Sequence, residues 1–317
     1  MNGIINVLKP PGMTSHDVVA YLRRLLQIRA IGHTGTLDPG VAGVLPVCVG
    51  TATRVAEFVS AAGKTYRAEL TLGITTDSLD GFGRILERRP VHVTYDQTIA
   101  AIPSFTGWIK QIPPMVSAVK KGGRRLYEFA REGREIAREA RDVFITRITP
   151  LAAKWNREFP CLLFDVDCSK GTYIRTLCAD WGDWLGCGGH MSYLLRTRSG
   201  PFTLDEAWTL EELRQAVDTA NYRFLLPLDS GLGYLPKAIV AEHRVTPLLN
   251  GLSLAASDYR LAEDRAGLTD STDSTDSQWV RLYSSDGCFL ALGLWQSSGE
   301  IRPKKVFAQK GESLTCK

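Results

Sequence analysis

Apolar and polar positions alternate along this chain in two distinct rhythms. "INVLKPPGMTSHDVVAYLRRLLQI" opens with a short apolar strand and turns at Pro-Pro-Gly. It then repeats Val18, Leu22, Leu25 and Leu26 at helical spacing. Thr14, with Asp17 three residues on, predicts a capping box at the start of that helix. "VAGVLPVCVG" is continuously apolar and reads as a buried strand, whereas "TYRAELTLG" alternates and reads as a strand with one wet face. "GRRLYEFAREGREI" predicts a short helix with Leu126, Phe129 and Ala130 on one side and Gly133 at its end.

"CLLFDVDCSKGTYIRTLCADWGDWLG" predicts a strand, a Ser-Lys-Gly turn and a helix capped by Thr172. Ile174, Leu177, Trp181 and Trp184 form its core stripe, and Arg175 points away from it. "TLEELRQAVDT" is another amphipathic helix. After "GLGYLP" (231–236) the pattern changes. A helix in "AEHRVTPLLNG" is followed by the polar run "LTDSTDSTDSQ", two strands about Asp286-Gly287 and a basic strand "IRPKKVFAQ". This predicts a small β-rich domain from about residue 233. Asp270, Asp273 and Asp276 lack the glycine and terminal glutamate of a calcium loop, so the run reads as a solvated loop.

Composition narrows the class. The chain has 317 residues, 44% hydrophobic and 23% charged, an ordinary globular balance. No apolar run reaches the roughly 18–20 residues of a membrane span, and the first residues do not read as a signal peptide. A cytoplasmic location is the expectation. Seven irregularly spaced cysteines do not form a disulfide framework. Cys168, Cys178, Cys187 and His190 come nearest to a metal set, but their gaps are too wide for a zinc knuckle. The net charge of +4 is unevenly spread: residues 105–125 carry Lys110, Lys120, Lys121, Arg124 and Arg125 and no acid. Such local surplus fits either a polyanion footprint or a solvated basic face.

The chemistry centres on "GHTGTLDPGVAGVLPV" (32–47). From Val18 to Ala56, Asp38 is the only acid. Pro39 holds it in extended backbone, so it reads either as a turn-capping residue or as a nucleophile or base. Arg175, in "SKGTYIRT", could keep such a carboxylate ionised, although spacing does not show that the two meet. Tyr66 and Tyr173 stand beside basic residues, as base-stacking aromatics do and as half-buried strand tyrosines also do. No Walker or dinucleotide pattern is present, and no cofactor or metal is indicated.

Taken in order, "KPPGMTSHDVV", "GHTGTLDPGVAGVL", "KTYRAELTLGITTDSLDGFG", "IPPMVSAVKKGGRRLYEFAREG" and "CSKGTYIRTLCADWGDWLGCGGHMSYLLRTRSGPF" resemble the bacterial tRNA pseudouridine-55 synthases of the TruB type. The likeness covers roughly residues 3–230. Ala42 departs from the threonine common before the glycine, and "TDSTDSTDS" lies outside the pattern. The resemblance implies an α+β pseudouridine synthase fold, with a mixed, largely antiparallel central sheet flanked by helices. It divides the chain into a catalytic domain (1–232, with an RNA-binding insertion at about 105–147), a small PUA-like RNA-binding domain (233–311) and a tail (312–317).

The resemblance also implies isomerisation of the T-arm uridine of tRNA by a monomer needing no protein partner. Asp38 would be the nucleophile, with attack on ribose, attack on the base and a glycal route all open. Arg175 would pair with it and Tyr66 would stack on a flipped base. His33 would fill the space left in the RNA loop. Lys9, Tyr173 and Leu194 would help line the pocket, and Lys120, Lys121, Arg124 and Arg125 would meet phosphates. The competing readings are a non-catalytic RNA-binding module, an RNA glycosidase and a guide-RNA-dependent synthase subunit.

Overall fold

A computed structural model of the chain describes residues 1–117, 119–262 and 278–308. The aspartate-rich run with Asp270, Asp273 and Asp276, and the 312–317 tail, lie outside them. A ten-stranded sheet forms the centre. Its main path runs Leu225–Leu226, Gly3–Lys9, Ala42–Val49, Gly189–Ser199, Lys64–Leu72, Cys161–Cys168, Arg141–Lys154 and Gly107–Gln111. Ile31–His33 and Phe202–Thr203 attach to its side. Among the described residues, one strand pairing in this sheet is parallel. It joins Ala42–Val49 to Gly189–Ser199, with Leu195 opposite Ala42 and Arg196 opposite Gly43.

The two strand rhythms have a physical cause. Ala42–Val49 is apolar on both faces because both are covered. Leu45, Val47 and Val49 pack on the helices Ser15–Leu26 and Leu210–Asp218, while Val44 and Cys48 face a second cluster containing Phe58 and Leu292. Lys64–Leu72 alternates because one face is wet. Tyr66, Ala68, Leu70 and Leu72 pack with Trp181, while on the other face Arg67 pairs with Asp165 at 2.9 Å.

The first helix, Ser15–Leu26, carries the expected capping box: the Thr14 hydroxyl accepts from Asp17 N, and Thr14 N donates to the Asp17 carboxylate. Burying Val18, Val19 and Leu22 contributes about 1.5–3 kcal/mol each. Leu22→Ala would therefore be the change most damaging to this helix.

Two expectations about the helix Ile174–Trp184 need correction. Thr172 does not cap it: Tyr173 is the N-cap, without a side-chain bond, and the Thr172 hydroxyl donates to Ser169 O. Trp184 does not face the core and is 57% exposed. Ten residues after Ile174, the 3.6-residue turn has carried that position off the stripe, and Cys178 is buried beside Ile174, Leu177 and Trp181 instead.

A second, five-stranded sheet follows, in the order Tyr259–Leu261, Lys237–Val240, Gln278–Tyr283, Phe289–Trp295 and Ile301–Val306. It packs on the helical segment 50–61 and shares an apolar cluster with Val44 and Cys48 of the central sheet. Phe58 and Trp279 meet edge to face at 4.8 Å, Lys305 pairs with Glu57, and the Arg54 guanidinium stands 5.0 Å from the Phe307 ring.

Candidate active site

The Asp38 turn lies just before Ala42–Val49 and is pinned from several sides. Val41 N donates to Asp38 O at 3.0 Å, and Gly12 N donates to Pro39 O at 2.9 Å. The Ser15 hydroxyl accepts from Leu37 N at 2.9 Å. Lys9 Nζ donates to Pro10 O, Met13 O and Pro39 O at 2.8, 2.5 and 3.2 Å. Lys9 is wholly buried and does not line the cavity, contrary to the expectation from sequence. It ends Gly3–Lys9 beneath the turn, where three carbonyls need a donor. Burial pushes its amine down to about 8, Asp38 opposes this, and Arg196 adds to it.

Arg175 meets Asp38 across this turn. Nη2 lies 3.0 Å from Asp38 Oδ2, and Nη1 lies 3.8 Å from Asp80 Oδ2. The same guanidinium donates to Ser78 O at 3.2 Å and Val116 O at 2.7 Å. The start of its helix is fixed by Gln111, which exchanges two hydrogen bonds with the Tyr173 backbone. Burial pushes the Asp38 carboxyl above the usual carboxylate range. Arg175 pulls it back, the Asp80 charge pushes it up, and Lys9 lowers it. Arg175 thus works against desolvation, and the carboxylate that results is more basic than a free one.

Asp38 and Arg175 open onto a cavity of about 340 Å³, also walled by Tyr66, Tyr173, Leu194 and Arg196. That volume lies within the usual range for small-molecule sites. Tyr66 is buried on Lys64–Leu72, opposite Arg196, and burial raises its phenol. His33 is not part of the wall. It lies half-buried on Ile31–His33, its Nδ1 has no hydrogen-bond partner, and burial lowers its pKa.

Sequence reasoning missed three charged residues. Arg196 is 1% exposed and donates to Val44 O at 2.7 Å and Gly35 O at 3.2 Å. Lys64 also lines the cavity, donates to Ser60 O and Ala62 O, and has its amine pushed down to about 8 by burial. Asp80 is buried beside Arg175. An arginine within the buried part of "YLLRTRS" and a lysine opening an alternating strand were the available signals. The parallel pairing makes Gly43 obligatory: its φ is +130°, and a Cβ there would fall 2.3 Å from Arg196 O.

The basic insertion forms a hairpin, Lys120–Lys121 against Arg124–Arg125, turning at Gly122 and Gly123 with φ of 59° and 85°. The helix Leu126–Arg131 follows. Its root reaches the cavity, which Ser117 and Val119 help to wall. Arg125 is exposed, with its guanidinium 5.9 Å from the Tyr127 ring, and exposed Lys121 donates to Ala137 O at 2.5 Å. Arg124 is already engaged: it pairs with Glu132, lies 3.5 Å from Glu128 and stands 4.5 Å from the Phe129 ring. Among the described residues, no group of three or more His, Cys, Asp or Glu is arranged to hold a metal ion, and no helix is long and apolar enough to cross a membrane.

The chain is similar to known proteins along most of its length. Residues 23–174 match the TruB family pseudouridylate synthase (N terminal domain), 175–233 the tRNA pseudouridylate synthase B C-terminal domain and 268–307 the pseudouridine synthase II TruB C-terminal region. The chain is 49% identical to tRNA pseudouridine synthase B of Moorella thermoacetica, over 96% of this chain and 98% of that one. It is 44% identical to the protein of the same name from Heliobacterium mobile, over 99% and 97%. Among solved structures, it aligns with a chain of a Cbf5-Nop10-Gar1 complex at TM-score 0.75 and 30% identity, covering 97% of this chain and 85% of that one. It also aligns with a chain of an H/ACA RNP bound to a substrate RNA containing 2'-deoxyuridine, at TM-score 0.74 and 28% identity, covering 98% and 86%. The fold is the pseudouridine synthase fold with a small C-terminal sheet, and the chain belongs to the TruB family of pseudouridine synthases, which are isomerases.

Proposed function

We propose that this chain isomerises uridine 55 in the T-arm loop of tRNA to pseudouridine, with the base flipped into the cavity and Asp38 as nucleophile. One observation carries the reading: a carboxylate held 3.0 Å from a buried guanidinium on the wall of a cavity of about 340 Å³. In the reaction the C1'–N1 bond breaks and a C1'–C5 bond forms. C5 loses a proton and N1 gains one. The formula is unchanged, so the overall reaction requires no oxidant, reductant or energy source.

A uridine inside a folded RNA loop is out of reach, and extruding it costs a few kcal/mol. Stacking on Tyr66 and packing against Tyr173 and Leu194 offset that cost on the protein side. His33 fills the space left in the loop, and the cations of the insertion and the second domain (233–311) meet the backbone. Lys9 serves the pocket from behind, as the support of the Asp38 turn.

Relatives named tRNA pseudouridine synthase B, at 43–53% identity, support tRNA as the substrate; we further propose that the chain acts as a cytoplasmic monomer without a guide RNA. The test is incubation of the purified chain with a T-arm hairpin, followed by mass measurement and modified-nucleoside mapping. The expected result is one pseudouridine in RNA of unchanged mass. Released uracil, or conversion only when guide RNA is added, would overturn the reading.

A further inference from the structure

Phe82 is the most exposed large hydrophobic residue among those described, at 80%. It joins none of the four apolar clusters and none of the aromatic pairs among the described residues. Its ring nevertheless has a fixed seat. It lies on Gly40, two residues from Asp38, so closely that a Cβ on Gly40 would fall 2.5 Å from the ring. It does not line the cavity and packs on the backbone of the Asp38 turn at Gly40.

The backbone beneath the ring is braced. Phe82 N donates to Asp80 Oδ1 at 3.0 Å, and the Ser78 hydroxyl donates to the same oxygen at 2.6 Å. The other oxygen of that carboxylate is the one 3.8 Å from Arg175. Gly81 N donates to Met191 O at 2.9 Å, and Arg84 N donates to Asp77 Oδ1 at 2.9 Å. Leu79 takes a φ of +63°, a strained turn for a branched side chain. A rigid backbone thus presents a bare phenyl to solvent beside a site that must grip an RNA loop. Nucleobases stack on such rings with little regard to sequence.

We propose that Phe82 is a stacking subsite for a second nucleobase, one flanking the nucleotide drawn into the cavity. This rests on the proposed function, since it needs an RNA loop at the Asp38 turn. Phe82 is a positioning residue: it clamps the strand so that the neighbouring nucleotide is delivered over Asp38.

The test uses the full chain with Phe82→Ala, Phe82→Leu and Phe82→Trp on T-arm hairpins. A second hairpin set carries 2-aminopurine on either side of the target uridine. Phe82→Ala and Phe82→Leu are expected to raise KM by about five- to thirty-fold, with a much smaller change in kcat. Phe82→Trp should keep KM near the parent value. Binding should quench one flanking 2-aminopurine in the parent and in Phe82→Trp but not in Phe82→Ala. Unchanged KM and quenching in Phe82→Ala would overturn the subsite, as would a leucine variant equal to tryptophan, which would reduce the ring to apolar cover for Gly40. A parent chain that leaves the hairpin unmodified overturns the proposed function itself, so the two failures are distinct.

Discussion

Asp38 and Arg175 meet at 3.0 Å, yet they stand in different surroundings: the Arg175 side chain is 5% exposed and that of Asp38 40%. The cation is part of the interior and the anion faces the cavity. Such a pair adds little net stability, because desolvating the guanidinium offsets the attraction. Its effect is to hold one carboxylate oxygen in place and ionised while leaving the group accessible.

Asp38→Asn keeps the shape of the turn and removes the charge. Conversion of a T-arm hairpin should fall below detection while hairpin binding stays within about three-fold. Nucleoside mapping and a filter-binding titration check the two halves. Normal turnover would remove Asp38 from the mechanism.

Arg175→Lys retains the charge but cannot reach Asp38, Ser78 O and Val116 O together. Single-turnover rates should fall about a hundredfold or more. Arg175→Met additionally strands the buried Asp80 and should cost about 3 kcal/mol in urea unfolding, at the low end for a broken buried pair because Asp38 is partly solvated.

Burial holds the Asp38 pKa above the ordinary carboxylate range, Arg175 opposes this, and the Asp80 charge adds to it. As the proposed nucleophile Asp38 must be ionised, so activity should be lost as pH falls through that raised pKa. Asp80→Asn keeps an acceptor for Phe82 N and the Ser78 hydroxyl while removing the negative charge. The acid limb of its kcat/KM profile should therefore move to lower pH. A shift upward, or none, would contradict the assignment.

Charge reversal in the insertion separates two kinds of cation. Lys121→Glu and Arg125→Glu should weaken RNA binding and reduce the slope of log K against log salt by about 0.7–0.9 for each phosphate that the protein no longer neutralises. Arg124→Glu should change the slope less, because Glu128 and Glu132 already neutralise that side chain. Its main effect should be local loosening of the Leu126–Arg131 helix.

Gly43→Ala forces a Cβ to within 2.3 Å of Arg196 O at a φ of +130°. Stability should drop by about 2–4 kcal/mol in urea titration. Activity should fall with it, since Arg196 walls the cavity.

Local pattern determined much of this molecule. The capping box of Thr14 and Asp17, the wet face of Lys64–Leu72 and the doubly covered Ala42–Val49 follow from side chains whose periods match their own backbone. The isolation of Asp38 before a proline marked the candidate site for the same local reason. Only the tertiary structure decided which charges share the site. Lys9, Lys64, Asp80, Arg175 and Arg196 come from separate parts of the chain and are brought together by the pairing of Gly3–Lys9, Ala42–Val49, Gly189–Ser199 and Lys64–Leu72 and by the start of the helix Ile174–Trp184. Burial there depends on what the rest of the chain places around each group. Lys9 therefore lies behind the turn and Asp80 against Arg175, neither of which a residue's neighbours in sequence could indicate.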